Sequence, residues 1–254
     1  MISVAMSYFN RGRQLRHTLN TISASAIKDI EIVIADDFSQ QPQDLVEVVK
    51  AFPKLKIVLI DMRERFETKW WRNPCVPYNH ALRACHGDKI IIQNPECCHM
   101  GDVLSYVNTH LVPGRYLSFH AWAANKEDTQ YIQLHGYASQ EPLGKKASRW
   151  YNHAQLKPTA FHFCNAISRA DLIKINGFDE RFAHGHSYDD VEILYRIKQI
   201  CEVVFVADPW VVHQHHPKFF AHPDNPTYTQ NNRELYETQI IGGPVRAPNQ
   251  ESIT

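Results

Sequence analysis

Residues 78–96 read YNHALRACHGDKIIIQNPE, and the order of features in this stretch decides the fold. A helix-like segment, 78–84, is stopped by Gly87. Three isoleucines follow in KIIIQ, 89–93, and Pro95 then ends the strand between two oxygen-bearing side chains, Asn94 and Glu96. Helix, stop, buried strand and polar turn are the repeating parts of an α/β sheet.

The same grammar runs upstream. Residues 2–7 form a short apolar strand, and Leu15, Leu19 and Ile22 recur at helical spacing within 14–24. Strand, helix and strand follow at 31–35, 44–51 and 56–60. This alternation predicts a Rossmann-like α/β fold with a mostly parallel central sheet and helices on both faces. Downstream, 102–110 reads as a helix and 115–122 as a strand. Residues 124–158 are polar, aromatic and poorly periodic, hence a long loop or lid with room for a short helix. A strand (161–168), a helix (169–175), a Gly177-Phe178-Asp179 turn, a helix (189–200) and strands at 203–207 and 210–212 complete the order. From Pro217 the chain is rich in proline, asparagine and aromatics, which predicts a loop able to fold over a ligand. There is no internal repeat.

Composition narrows the class. With 27 basic and 27 acidic residues the chain lacks the basic excess that nonspecific binding of nucleic acid or anionic membranes requires. No stretch approaches the roughly 18 apolar residues of a membrane span, and the N-terminal apolar run is too short for a signal peptide. A soluble, cytoplasmic protein is expected, with peripheral membrane association left open. The six cysteines are scattered, with one adjacent pair, Cys97-Cys98, so reduced buried thiols are expected. Of the 15 histidines, His213, His215, His216 and His222 are clustered.

In open α/β sheets ligands bind beyond the carboxyl ends of the strands, so the residues after each strand carry the chemistry. Ser7-Tyr8-Phe9-Asn10-Arg11 offers an aromatic face and a guanidinium suited to a base and a diphosphate. Asp36 and Asp37 can accept from a uracil N–H and a ribose hydroxyl, or they form an Asx turn or helix cap. Asn94-Pro95-Glu96 is a strand-ending turn or presents a carboxylate to a hard divalent ion. Asp189-Asp190 opens a helix, either as a cap or as a pair whose repulsion makes one member a general base. On a continuing strand His213 and His215 would share a face and His216 would point away.

Taken together, these segments resemble the inverting family 2 glycosyltransferases of the GT-A fold, including bacterial chondroitin-type polymerases, and the related beta-1,4-galactosyltransferases. The resemblance covers roughly residues 2–232. It implies that Ser7, Tyr8, Phe9 and Arg11 contact the nucleotide, with Asn94 alongside, and that Asp36 and Asp37 hold uracil and ribose. Asn94-Pro95-Glu96 falls where the family has its Asp-x-Asp metal motif, and VVHQHHP (211–217) matches the late strand whose histidine completes the site. Glu96 and His213 are thus the implied ligands of Mn²⁺ or Mg²⁺. NGFDERF (176–182) and YDDVEILYRI (188–197) match the acceptor-side motif, with Asp190 the base and Asp189 assisting. Two departures stand out: Asn94 replaces the motif's first Asp, and His186-Ser187-Tyr188 stands where the galactosyltransferases have Trp-Gly-Gly.

The resemblance implies one GT-A nucleotide-diphospho-sugar transferase domain over 1–254, with a nucleotide-binding half (1–100), an acceptor half (101–216) and a C-terminal tail (217–254). The expected activity is polysaccharide biosynthesis by transfer of a hexosyl or N-acetylhexosaminyl group from a UDP-sugar to a hydroxyl of a glycan or other acceptor. The rival is a non-catalytic binder of sugar nucleotides or glycans, favoured by Asn94 and opposed by retention of Asp190 and His213. A zinc hydrolase lacks an HExxH spacing, and a nucleotidyltransferase would need a glycine-rich loop where only Gly12 stands.

Overall fold

The computed structural model describes residues 1–136, 149–217 and 225–254. Its first half follows the sequence pattern closely. Strands β1 (Ile2–Tyr8), β2 (Ile30–Asp36), β3 (Ile57–Asp61) and β4 (Lys89–Gln93) alternate with helices α1 (Gly12–Ser23), α2 (Pro42–Lys50) and α3 (Cys75–Arg83). Every pairing among these strands is parallel, in the order β3-β2-β1-β4.

The second half contributes β5 (Cys97–Met100), α4 (Val103–His110), β6 (Arg115–Ala123), α5 (Lys126–His135), β7 (Trp150–Asn152), β8 (Cys164–Ser168) and α6 (Arg169–Ile175). A 3-10 turn (Glu180–His184), α7 (Asp189–Ile197), β9 (Glu202–His213), α8 (Asn225–Leu235) and a π turn (Tyr236–Ile240) follow. Here the sheet becomes mixed. Strand β8 lies antiparallel between β4 and β6, β9 runs parallel to β6, and β5 pairs antiparallel with β9 at the far edge. Parallel character is therefore concentrated in the first half of the chain, where each strand returns through a helix.

Burial of both sheet faces explains the unbroken apolar runs. Val4, Met6, Ile32 and Ile34 pack with α1 (Leu15, Leu19, Ile22), α2 and α4. Their alternates Ala5, Val33, Ala35, Ile90 and Ile92 pack with α3, α6 and α7 on the other side. Each such aliphatic side chain contributes about 1.5–3 kcal/mol by leaving water, so register is fixed by two buried faces at once.

Four local expectations are corrected. The strands expected at 203–207 and 210–212 are one strand, β9. Its ladder with β6 jumps from Phe119–Val206 to Ala121–Val211, and Pro209, which has no N–H to give, falls in the skipped stretch. The four residues of β5 were too few to show a period. The supposed loop 124–158 contains β7 and the three-turn α5, which is closed by an Asn125–Asp128 capping box and by Gly136 at φ 75°; residues 137–148 lie outside the described part. In the tail, 225–235 is helical, and 218–224, with His222, also lie outside it.

All six cysteines are buried and unpaired. Among the described residues no helix is long and apolar enough to cross a membrane.

Candidate active site

A cavity of about 350 Å³ opens beyond the carboxyl ends of β1 and β4 and reaches the start of α7. Ser7 of β1, with Phe9 and Arg11 in the turn that follows it, lines the cavity. Tyr8 points the other way and is fully buried in the core beneath α1, where burial pushes its phenol up to about 12. It packs in the core and does not line the cavity. The Arg11 guanidinium feels burial first, which lowers its pKa, and is partly compensated by the nearby Glu96 carboxylate.

The acidic pair after β2 divides its work. Asp36 accepts from the Ser39 backbone N–H (3.1 Å) and from Arg63 Nη2 (2.8 Å), making the Asx turn that its position allows, and it is not among the residues lining the cavity. Asp37 does line it. Trp71 Nε1 and Lys69 Nζ each donate to one of its oxygens at 2.7 Å, and Lys69 Nζ also lies 5.4 Å over the Phe9 ring. Burial raises the pKa of both carboxyls, with Lys69 opposing the shift at Asp37.

Asn94-Pro95-Glu96 ends β4 and carries its carboxylate into the cavity. It is a turn, with the Cys97 N–H donating to the Asn94 carbonyl at 3.0 Å. The Asn94 Oδ1 is taken by the Tyr78 hydroxyl at 2.7 Å. Glu96 Oε1 lies 3.1 Å from His213 Nε2 and 3.2 Å from His216 Nε2. Burial alone would raise the Glu96 pKa, but the two imidazoles hold it well below the usual carboxylate range.

The partner of His213 is therefore His216, not His215, because the strand period stops at His213. Beyond it Gln214 is wholly buried: its N–H and Nε2 both donate to the Glu96 carbonyl at 3.0 Å, and Nε2 also reaches the Gln14 carbonyl at 3.1 Å. That anchor turns the chain so that His216 faces Glu96, while the His215 N–H donates to Thr129 Oγ1 at 2.7 Å. One carboxylate and two imidazoles, with ligand atoms within 4.8 Å of one another, make a donor set that fits a divalent transition ion.

Asp189 and Asp190, which also line the cavity, open α7 and are preceded by Ser187 and Tyr188 at φ 60° and 70°. Asp189 is buried and accepts from Asn73 Nδ2 at 2.9 Å; burial first, and then Asp190, raise its pKa. Asp190 remains partly open to the cavity, and its Oδ1 accepts from the His162 backbone N–H at 3.1 Å. The His162 ring contacts the same oxygen.

The structure thus adds Lys69, Trp71, Asn73, His162, Gln214 and His216 to the residues foreseen. Only His216 carried a signal, as part of a histidine cluster. The others are brought in by tertiary packing.

The family described as glycosyl transferase family 2 matches residues 3–175. No curated protein matches the chain by sequence. Among solved structures, the fold is similar to that of mannosyltransferase PcManGT from Pyrobaculum calidifontis in complex with GDP-Man and Mn²⁺: 16% identity, TM-score 0.55, covering 86% of this chain and 58% of that one. It is also similar to S. aureus TarS 1–349 in complex with UDP-GlcNAc, at 16% identity and TM-score 0.61, covering 92% of this chain and 64% of that one. The chain spans less than two thirds of either structure's length, and at these identities the likeness is one of fold.

Proposed function

Because the chain belongs to glycosyl transferase family 2, we propose that it moves a sugar from a UDP-sugar to a hydroxyl of a glycan or other acceptor, in one metal-assisted displacement that inverts the anomeric carbon. The observation that carries this reading is the meeting of two chemistries in one cavity: the partly open carboxylate of Asp190, and Glu96, shared by two imidazoles, with Arg11 nearby.

Phe9 and Asp37 receive the base, Asp37 accepting from the uracil N–H while Lys69 and Trp71 hold it in place. Arg11 faces the diphosphate and offsets its charge. Glu96, His213 and His216 would hold Mn²⁺ or Mg²⁺, and two nitrogen donors favour Mn²⁺. When bound, such an ion supplies Lewis-acid stabilisation of the departing diphosphate. Asp190 accepts the proton of the acceptor hydroxyl as that oxygen bonds to the anomeric carbon. The bond from this carbon to the diphosphate oxygen breaks, and its electron pair leaves with UDP. Asp189 is fixed by Asn73 and orients its neighbour. The PcManGT and TarS complexes hold GDP-Man with Mn²⁺ and UDP-GlcNAc respectively, which supports a nucleotide-sugar donor here.

The test is a thermal-shift and hydrolysis screen of UDP-, GDP- and TDP-sugars with Mn²⁺ or with chelator. A ligand at a hundred times its Kd adds about 2.7 kcal/mol, on the order of 5–10 °C for a chain of this size. UDP-sugar is expected to give a shift of this kind with Mn²⁺ and far less with chelator. Glu96→Ala, His213→Ala and His216→Ala should each remove most of the difference. An unchanged metal-dependent shift in these variants would sink the metal assignment, and no shift with any nucleotide-sugar would sink the donor.

A further inference from the structure

The acidic pair that opens α7 is met by one buried imidazole which the transfer chemistry leaves without a role. His162 sits just before β8. Its ring is held edge-on by Tyr78 at 4.9 Å and by Phe178 at 5.1 Å, and its side chain is 8% exposed. From this fixed position Nε2 lies 3.9 Å from Asp189 Oδ2, Nδ1 contacts Asp190 Oδ1, and the backbone N–H of the same residue donates to that Oδ1 at 3.1 Å. One residue therefore lies within ion-pair reach of both carboxylates, and its backbone N–H and its ring nitrogen meet at a single oxygen of Asp190.

This arrangement answers an electrostatic problem. Two adjacent carboxylates, one of them fully buried, cannot both stay ionised without a compensating charge; the usual outcome is a shared proton. A base that already carries that proton cannot take another from an acceptor. The groups facing the His162 ring are Asp189 and Asp190 of α7, Tyr78 of α3, and the uncharged Phe178. Burial holds the Tyr78 phenol neutral, and its hydroxyl is spent on the Gln93 carbonyl and Asn94 Oδ1, so it supplies no charge.

We propose that His162 is a positioning residue for the base: as an imidazolium between Asp189 and Asp190 it keeps both carboxylates ionised, and by holding Asp190 Oδ1 it leaves Oδ2 to take the acceptor's proton. The proposal rests on Asp190 being the base of the proposed transfer. The electrostatics agree in direction, since burial alone would lower the His162 pKa, but Asp190 and then Asp189 outweigh it and raise the value above the ordinary one. A group raised in this way contributes its pairing below its unfolded pKa and loses it as pH rises through the folded one. Well above neutral pH the carboxylates are ionised without help, so the effect of His162 on kcat/KM should appear on the acid limb, which is set by the carboxylate pair.

His162→Asn tests the charge apart from the geometry, because the Asn Nδ2 can stand near the position of Nδ1 and still donate, but carries no charge. Its acid limb should move up by about 1–3 pH units, with donor KM unchanged. His162→Ala should show the same shift together with a lower kcat. Independently of any activity, the ¹H–¹⁵N signals of His162 in the substrate-free protein should report an imidazolium persisting above pH 6.5, and Asp190→Asn should bring that titration down. An acid limb in His162→Asn that superimposes on wild type, or a His162 already neutral at pH 6, overturns the proposal. If the wild-type chain transferred no sugar, the transfer reading would fall while the NMR titration still decided the charge pairing.

Discussion

Asp189 and Asp190 are adjacent in sequence, yet the fold gives them different work. Asp189 is buried and bound to Asn73, whereas Asp190 keeps a carboxylate edge on the cavity. Asp190→Asn is nearly isosteric, so it should lower the rate of the chemical step by ~10²–10⁴-fold while UDP-sugar and metal still raise the melting temperature as in wild type. Asp189→Asn should be milder, because an amide can still pair with Asn73. Single-turnover transfer and thermal shift separate the two effects, and full turnover in Asp190→Asn would move the base to Asp189. Much of this site was legible because its residues sit at strand and helix ends: Ser7, Phe9, Arg11, Asp37, Glu96, Asp190 and His213 all follow that rule. Tyr8 was expected at the nucleotide, whereas the two-residue alternation of β1 turns it to the buried face opposite Ser7. His216 was misread because a two-residue period was carried past the end of β9, where the hydrogen bonds of Gln214 take over. His162 was not legible, since its only signal is what packs around it.

Elements were legible where burial on two faces imposes a period, as in β4, whose observed span Lys89–Gln93 is the one expected. They were obscure where caps carry the structure: α5 buries only Thr129 and Ile132, too little for a pattern. Caps also join elements. Asp102 accepts from the Ser105 N–H (3.0 Å) at the start of α4, and from Ser25 Oγ (2.6 Å) and the Ala26 N–H (2.9 Å) just after α1. Burial would raise its pKa, but these bonds more than offset that and hold it at about 2. A depressed carboxyl contributes stability that is present above its unfolded pKa, about 3.9, and lost as pH falls toward 2. Asp102→Ala should therefore cost about 1–2 kcal/mol at pH 7 in urea denaturation, and its deficit relative to wild type should shrink between pH 4 and pH 2. A deficit that stays constant across that range would show that the loss comes from packing.

At the scale of the molecule, the C-terminal segment straps the edge of the cavity that precedes α7. The Ala247 N–H donates to the Ile175 carbonyl, Asn249 Nδ2 donates to the carbonyls of Asn176 and Phe178, and the His186 N–H donates to the Tyr228 carbonyl. The decisive contact is Asn232 of α8, which is 3% exposed and whose Nδ2 donates to the carbonyls of Phe182 (3.1 Å) and Ser187 (2.8 Å). Ser187 and Tyr188 hold left-handed backbone without being glycine, a conformation that costs on the order of 1–3 kcal/mol per residue and persists only where neighbours enforce it. Asn232 and Asn73 both donate to the Ser187 carbonyl and so enforce it from two sides. A Cβ at Gly185 would come within 1.9 Å of Asn232 Oδ1, so this approach also requires glycine. Asn232→Ala leaves the Ser187 and Phe182 carbonyls short of a donor and should destabilise the chain by about 1–3 kcal/mol. It should also lower kcat by more than that loss of folded protein explains, because Asp190 follows directly from the released segment. UDP–Mn²⁺ binding should hold, since the residues proposed for it lie just after β1 and β2, in the β4–β5 turn and at the end of β9. Gly185→Ala should reproduce the pattern by pushing Asn232 away. Denaturation, transfer kinetics and the UDP thermal shift, measured on both variants, decide between a strap that sets the base and one that only adds stability: in the second case kcat per folded molecule would match wild type.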